Sequence, residues 1–143
     1  MIFLIEDSPS DAEAIKRGFR KSGFAEEVRH FETGDAALAH LDELLAMDIE
    51  TMPPLPRLIV LDLNLPGLDG REVLRRLKNS AALKPIPVLV LSSVNSKIDI
   101  ERIYAAGANA FMRKPVSFES LSELIDYTRR YWFDIAVMPK VLY

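Results

Sequence analysis

Apolar residues fall along this chain in five short runs, with stretches of helical periodicity between them. Ile2–Ile5, Leu58–Leu61 and residues 88–91 are each unbroken and apolar. A run without polar alternation reads as a strand covered on both faces, the kind found inside a parallel sheet. Val28–Phe31 alternates instead, with Val28 and His30 on one side and Arg29 and Phe31 on the other, as a half-exposed edge strand does. Residues 110–112 make a short fifth strand.

The intervening stretches carry the punctuation of helices. Ser8 and Pro9 supply an N-cap hydroxyl and a first-turn proline; Ala12, Ile15 and Phe19 share one face, and Gly23 closes the helix. Thr33 and Gly34 open a second helix with Ala37, Leu38, Leu41, Leu44 and Leu45 along its apolar face. Asp69 caps a third, which carries Val73, Leu74 and Leu77 and ends at Asn79. Ser96 caps a fourth with Ile100, Ile103 and Tyr104, closed by Gly107. Ser117 caps a fifth whose inward residues are Leu121, Leu124, Ile125 and Thr128. Residues 49–56 hold three prolines, so they read as a stiff extended loop before the third strand.

Strands that alternate with helices indicate an α/β domain with a parallel sheet. Right-handed crossovers place the helices on both faces. With the alternating second strand at an edge, the order becomes the flavodoxin-like, doubly wound 2-1-3-4-5, whose switch point lies between the first and third strands. Asp7 and Asp62 end those two strands.

Composition narrows the class. The 143 residues suffice for one domain with one sizeable core, and 49% hydrophobic with 27% charged is ordinary for a globular protein. A net charge of −3 gives no reason to expect nucleic acid or an anionic membrane. No cysteine is present, which excludes disulfides and thiolate metal sites. Glu6 and Asp7 interrupt the apolar start, and no basic residue precedes it, so neither a signal peptide nor a membrane span is expected. A cytoplasmic setting is the default. His30 and His40 have no ligand-type neighbours at useful spacing and read as surface residues.

The carboxyl ends of the inner strands carry Glu6 and Asp7, Asp62, Ser92 and Lys114. A parallel sheet brings such ends to one edge. A lone Asp62 could merely cap its turn, an acidic pair could serve a helix N-terminus, and a lone lysine is usually solvated. Together they suggest more. Three close carboxylates repel unless a cation is bound, and hard oxygen donors suit Mg²⁺ beside a phosphate. Lys114 offers a point charge to one phosphate oxygen and Ser92 a hydroxyl to another. A carboxylate can itself attack phosphorus and form an aspartyl-phosphate.

IEDSPSD at residues 5–11, DLNLPGLDG at 62–70, LSS at 91–93 and AFMRKP at 110–115 resemble the CheY-like receiver domain of two-component response regulators. The likeness extends over residues 1–132. It implies that Asp62 accepts a phosphoryl group from the phosphohistidine of a sensor histidine kinase. It further implies that Asp7 and Asp62 hold Mg²⁺ with the backbone carbonyl of Asn64, while Glu6 acts through a water. Ser92 and Phe111 become the switch pair, Lys114 the cationic partner, and Lys114–Pro115 a cis bond. The switch ring, often Tyr, is Phe111 here and lacks a hydroxyl; Ser92 stands where Thr is commoner.

Residues 133–143 form an apolar tail, and the chain ends eleven residues after Trp132, so the expected output is a protein contact rather than an attached effector domain. Exposed patches of this kind mark interfaces, although the tail could also fold back on its own domain. The tail and the long loop before the third strand resemble stand-alone regulators that partner phytochrome-type kinases, which implies a bacteriophytochrome as partner and a homodimer through Tyr127, Tyr131, Trp132 and Phe133. The reading is of a switch, not an enzyme. Two alternatives stand beside it: a receiver-like binding module that takes no phosphate, and a phosphotransferase of the haloacid dehalogenase type. The latter needs a second acid two residues after its nucleophile, where this chain has Asn64. A flavin site has no support in the sequence.

Overall fold

The computed structural model describes residues 1–140; the last three residues of the tail lie outside the described residues. Five strands and five helices alternate: β1 Ile2–Ile5, α1 Pro9–Lys21, β2 Val28–Phe31, α2 Gly34–Leu45, β3 Leu58–Leu61, α3 Gly70–Asn79, β4 Val88–Ser92, α4 Lys97–Ala105, β5 Ala110–Arg113 and α5 Phe118–Arg129. The sheet order is 2-1-3-4-5 and every neighbouring pair is parallel. Both features match the expectation from the apolar runs.

Alternate residues of the central strands feed two cores, because a strand's side chains point to opposite faces. Ile2, Leu4, Leu58, Val60, Leu89 and Leu91 pack under α1 and α5, against Ile15, Phe19, Leu121 and Ile125. Phe3, Ile5, Ile59, Leu61, Val88 and Val90 pack under α2, α3 and Ile103 of α4. β1 and β3 are buried along their whole length. Each aliphatic side chain removed from water there stabilises the fold by roughly 1.5–3 kcal/mol.

Local signals set the helix ends. The side chains of Ser8, Thr33, Asp69, Ser96 and Ser117 each accept a backbone N–H of the first turn. Gly23, at φ +86°, takes the left-handed position just past α1.

Three readings change. His30 and His40 are half-buried rather than free on the surface. His30 reaches over the end of β1, its Nε2 2.6 Å from the carbonyl oxygen of Glu6. His40 packs on Phe3 and Phe31, with ring centroids 5.8 and 5.7 Å away. A thin edge strand leaves room for such side chains to lie against the sheet. The Lys114–Pro115 bond is trans, as no peptide bond among the described residues is cis; trans is the lower-energy form of an X–Pro bond where packing does not impose the other.

After α5, residues Arg130–Ile135 form a wider π-helical turn, closed by the Ala136 N–H on the Tyr131 carbonyl at 2.7 Å. This turn lays Trp132, Phe133 and, beyond it, Met138 against the α1–α5 core. Phe133 is held between Phe24, at 4.9 Å between ring centroids, and the Arg57 guanidinium, 4.8 Å above its ring. Tyr127, Tyr131, Ile135 and Val137 remain exposed. Of the four aromatics expected at a dimer contact, two therefore face solvent and two line the chain's own core. Among the described residues no helix is long and apolar enough to cross a membrane.

Candidate functional site

Parallel pairing in register brings the carboxyl ends of β1, β3, β4 and β5 to one edge of the sheet. There Glu6, Asp7 and Asp62 each present a carboxylate oxygen, and these atoms all lie within 4.8 Å of one another. Glu6 is 1% exposed and Asp62 6%, whereas Asp7 faces solvent. Burial at this point follows from the strands, which are covered on both faces up to their last residue.

Lys114, one residue past β5, points back across the sheet edge. Its ammonium contacts Glu6 Oε1, Asp11 Oδ2 at 3.0 Å and Asp62 Oδ2 at 3.3 Å. The other oxygen of Asp62 accepts the Asn64 N–H at 3.4 Å. Asp62 thus caps its turn with one oxygen and offers the second to the site.

The charge balance is lopsided. Four carboxyl groups gather here, of Glu6, Asp7, Asp11 and Asp62, and one ammonium contacts three of them, Glu6, Asp11 and Asp62. Burial, and then the neighbouring Asp62 carboxylate, push Glu6 up to about 8, against the pull of Lys114. Burial works to lower Lys114, but its bonds to Glu6 and Asp11 and the charges of Asp62 and Glu6 outweigh that and hold it above the usual lysine range. Glu6 Oε2 is buried without a hydrogen-bond partner. An orphaned buried carboxylate oxygen is costly. Oxygen-only donors with one of them unpaired fit a hard divalent cation, which accepts one or two carboxylates and keeps several waters.

Ser92 is fully buried and its Oγ accepts the Val94 N–H at 3.3 Å, so its hydroxyl stands at the site's margin with a local partner. Asn64 is exposed on the turn after β3. Phe111 is half-buried against the α2–α3 core. Its backbone N–H, on the open edge of β5, donates to the Tyr104 hydroxyl of α4 at 3.0 Å. Three residues here carry contacts that the sequence pattern does not assign to them: Asp11, Tyr104 and His30. Asp11 belongs to the same IEDSPSD stretch as Asp7 and lies four residues on, in the first turn of α1, which is a legible spacing. The other two contacts depend on through-space placement alone.

A cavity of about 140 Å³ lies between α3 and α4, lined by Arg71, Leu74, Asp99, Arg102, Ile103 and Ala106. It shares no residue with the acidic cluster, and Arg71 is paired with Asp99 across it at 3.9 Å. The acidic cluster and Lys114 sit at the sheet edge instead.

A doubly wound α/β domain with paired acids, an aspartate, a hydroxyl and a lysine at the ends of its inner strands is the architecture of a CheY-like receiver. Residues 2–126 match the response regulator receiver domain, and the chain belongs to that family of two-component regulators. It is 37% identical, over 92% of its length and 83% of the relative's, to the "Probable methanogenesis regulatory protein FilR2" of Methanothrix harundinacea. It is 32% identical to the response regulator Rcp1 of Synechocystis, over 97% of this chain and 92% of that one. Among solved structures it resembles the phosphorylated cyanobacterial phytochrome response regulator RcpA, with TM-score 0.87, 34% identity and 96% of each chain covered. The Mn²⁺-bound form of Rcp1 superposes with TM-score 0.85 at 32% identity, covering 96% of this chain and 97% of the other. Receiver domains bind divalent metal and partner sensor histidine kinases, and the family is not generally one of classical enzymes.

Proposed function

We propose that this protein is a phosphorylation-driven switch in which Asp62 takes a phosphoryl group from the phosphohistidine of a sensor histidine kinase. The observation that carries this reading is the Asp62 carboxylate itself: 6% exposed, with Oδ2 3.3 Å from the Lys114 ammonium and two further carboxylates beside it. The Asp62 oxygen attacks phosphorus as the phosphorus–nitrogen bond breaks, and the imidazole leaves with the electron pair and is reprotonated. The product is an acyl phosphate. Lys114 stands where it neutralises the oxygens of the transferring group, so the protein's contribution is positioning and charge.

Glu6, Asp7 and Asp62 would hold Mg²⁺, with the Asn64 carbonyl as a further ligand. When bound, the cation supplies charge neutralisation on the phosphoryl oxygens. Ser92 turns from Val94 toward the phosphoryl group, and Phe111 moves with it. The haloacid dehalogenase reading loses its footing, since Asn64 offers an amide where a general acid is required.

The partner we favour is a phytochrome-type kinase. In support, the chain is similar along nearly its whole length to regulators described as phytochrome or bacteriophytochrome response regulators. A homodimer through α5 and the tail remains our reading of the exposed Tyr127 and Tyr131, with Trp132 and Phe133 supporting that surface from beneath. The testing experiment is mass spectrometry after incubation with acetyl phosphate and Mg²⁺. A gain of about 80 Da, lost in Asp62→Asn and without Mg²⁺, is expected of one phosphoryl group on a carboxylate. Failure of both acetyl phosphate and the beryllofluoride mimic to modify or bind the protein would leave a binding module that takes no phosphate.

A further inference from the structure

The Lys114 ammonium has three N–H donors and three carboxylate partners. Two of those partners, Glu6 and Asp62, belong to the cluster whose oxygens lie within 4.8 Å of one another and fit a cation. Those two carboxylates have competing claims on them, from the metal and from the incoming phosphoryl group. Asp11 does not belong to that cluster. It approaches Lys114 from the first turn of α1, at 3.0 Å, and its own side chain is 34% exposed. Its backbone N–H is fixed on the Ser8 hydroxyl at 3.3 Å, so the turn that carries it is anchored.

We infer that Asp11 is a positioning residue for phosphoryl transfer. It holds the Lys114 ammonium in place while Glu6 and Asp62 change partners. The inference rests on the phosphoacceptor role of Asp62. An ammonium on a flexible four-carbon stem loses its aim when its neighbours are drawn elsewhere. A charge-assisted bond from a fixed helical turn keeps one donor occupied and leaves another directed at the phosphoryl oxygens. Asp11 touches neither substrate nor metal in this account and acts through Lys114. Charge alone predicts the opposite effect, since a fourth carboxylate repels a phosphoryl dianion. The two ideas predict rates of opposite sign.

The test compares wild type, Asp11→Ala, Asp11→Asn, Lys114→Ala and the Asp11→Ala/Lys114→Ala double variant. Adduct formation from acetyl phosphate is timed by mass spectrometry at saturating Mg²⁺. The Mg²⁺ dissociation constant and thermal midpoint of each variant are measured in parallel. Asp11→Ala is expected to slow adduct formation about tenfold, the usual weight of one hydrogen bond to a charged group. Asp11→Asn, which keeps an oxygen acceptor for Lys114, recovers most of the rate. Mg²⁺ affinity stays within a few-fold, and in the Lys114→Ala background the Asp11 change has no further effect. A merely structural residue would move the midpoint and leave this pattern absent. Wild-type or faster rates in both Asp11 variants overturn the inference, as does a loss from Asp11→Ala that persists undiminished in the Lys114→Ala background. Absence on wild type of both the acetyl phosphate adduct and beryllofluoride binding would remove the phosphoacceptor reading and this inference with it.

Discussion

Gly70 opens α3 directly beneath the strand end that carries Asp62, and replacing it with alanine should be among the most damaging single-methyl changes in the protein. A Cβ at this position would lie 2.2 Å from the Asp62 carbonyl oxygen, 2.6 Å from Leu63 Cα and 3.1 Å from the Asp62 carbonyl carbon. Ordinary contact is about 3.5–4.0 Å, so backbone must retreat by roughly 1 Å or more. All three atoms are main chain, and the Gly70 N–H is itself bonded to the Leu63 carbonyl at 3.0 Å. No side chain can rotate to make room. Overpacking into rigid surroundings costs about 1–3 kcal/mol or somewhat more, and we expect about 3 kcal/mol here. For a chain of this size that lowers the thermal midpoint by roughly 10 °C. Gly23→Ala is the control, since its nearest atom, Arg129 Nη2, is 3.9 Å away and only the φ of +86° opposes a side chain. That handedness term is worth about 1–2 kcal/mol. Urea titrations of wild type and both variants give the comparison. A Gly70→Ala loss below about 1 kcal/mol, or a larger loss for Gly23→Ala, would refute the reasoning. A second readout follows from the first: displaced backbone carries the Asp62 carboxylate with it, so adduct formation should slow even in the fraction that is folded.

Two further changes are measurable. Glu6 sits at about 8 in the folded protein against 4.5 ordinarily, so between those values the native state holds the extra proton. Metal-free stability should therefore fall as pH rises from 4.5 to 8, by on the order of 2–4 kcal/mol, and Glu6→Gln should flatten that slope in urea titrations at pH 5.5 and 8.5. Tyr104→Phe removes the hydroxyl that accepts the Phe111 N–H. Hydrogen exchange at Phe111 should accelerate several-fold at a cost of about 1 kcal/mol in stability; unchanged exchange would mean that water serves that amide equally well.

Where residues act through their neighbours in sequence, the chain could be read directly. Each predicted cap, from Ser8 to Ser117, bonds the turn that follows it, because a cap and its donor are two or three residues apart. The order of the strands was likewise legible, since burial on one face or two is written into the alternation of each run. Strand ends then converge without further information, which is why Glu6, Asp7, Asp62 and Lys114 could be gathered in advance. Asp11 was not given a role because its partner is 103 residues away and its position, in a helix's first turn, is also explained by the helix dipole. His30 was read as a surface residue because only the fold reveals that a carbonyl lies within its reach. Phe133 depends on Phe24 and Arg57, three stretches that meet only when the tail turns through its π-helical segment.

Between the acidic cluster and α4 the contacts run in a definite order, and each has a partner that it must give up. Ser92 cannot turn toward a phosphoryl group while its Oγ accepts the Val94 N–H. Val94 and Phe111 both pack on the α2–α3 core. Phe111 in turn cannot carry its backbone outward without loosening the Tyr104 hydroxyl, which ties the β5 edge to α4. A series of contacts is not a mechanism unless some element has two arrangements that both ends bias. Here the candidate element is the β4–α4 segment, held by the Ser92–Val94 bond at the start of its loop and by the Tyr104–Phe111 bond in the last turn of α4. If it is bistable, Tyr104→Phe should change beryllofluoride affinity although Tyr104 does not contact the acidic cluster; if the affinity is unchanged, the site and the α4 face are not coupled through this route.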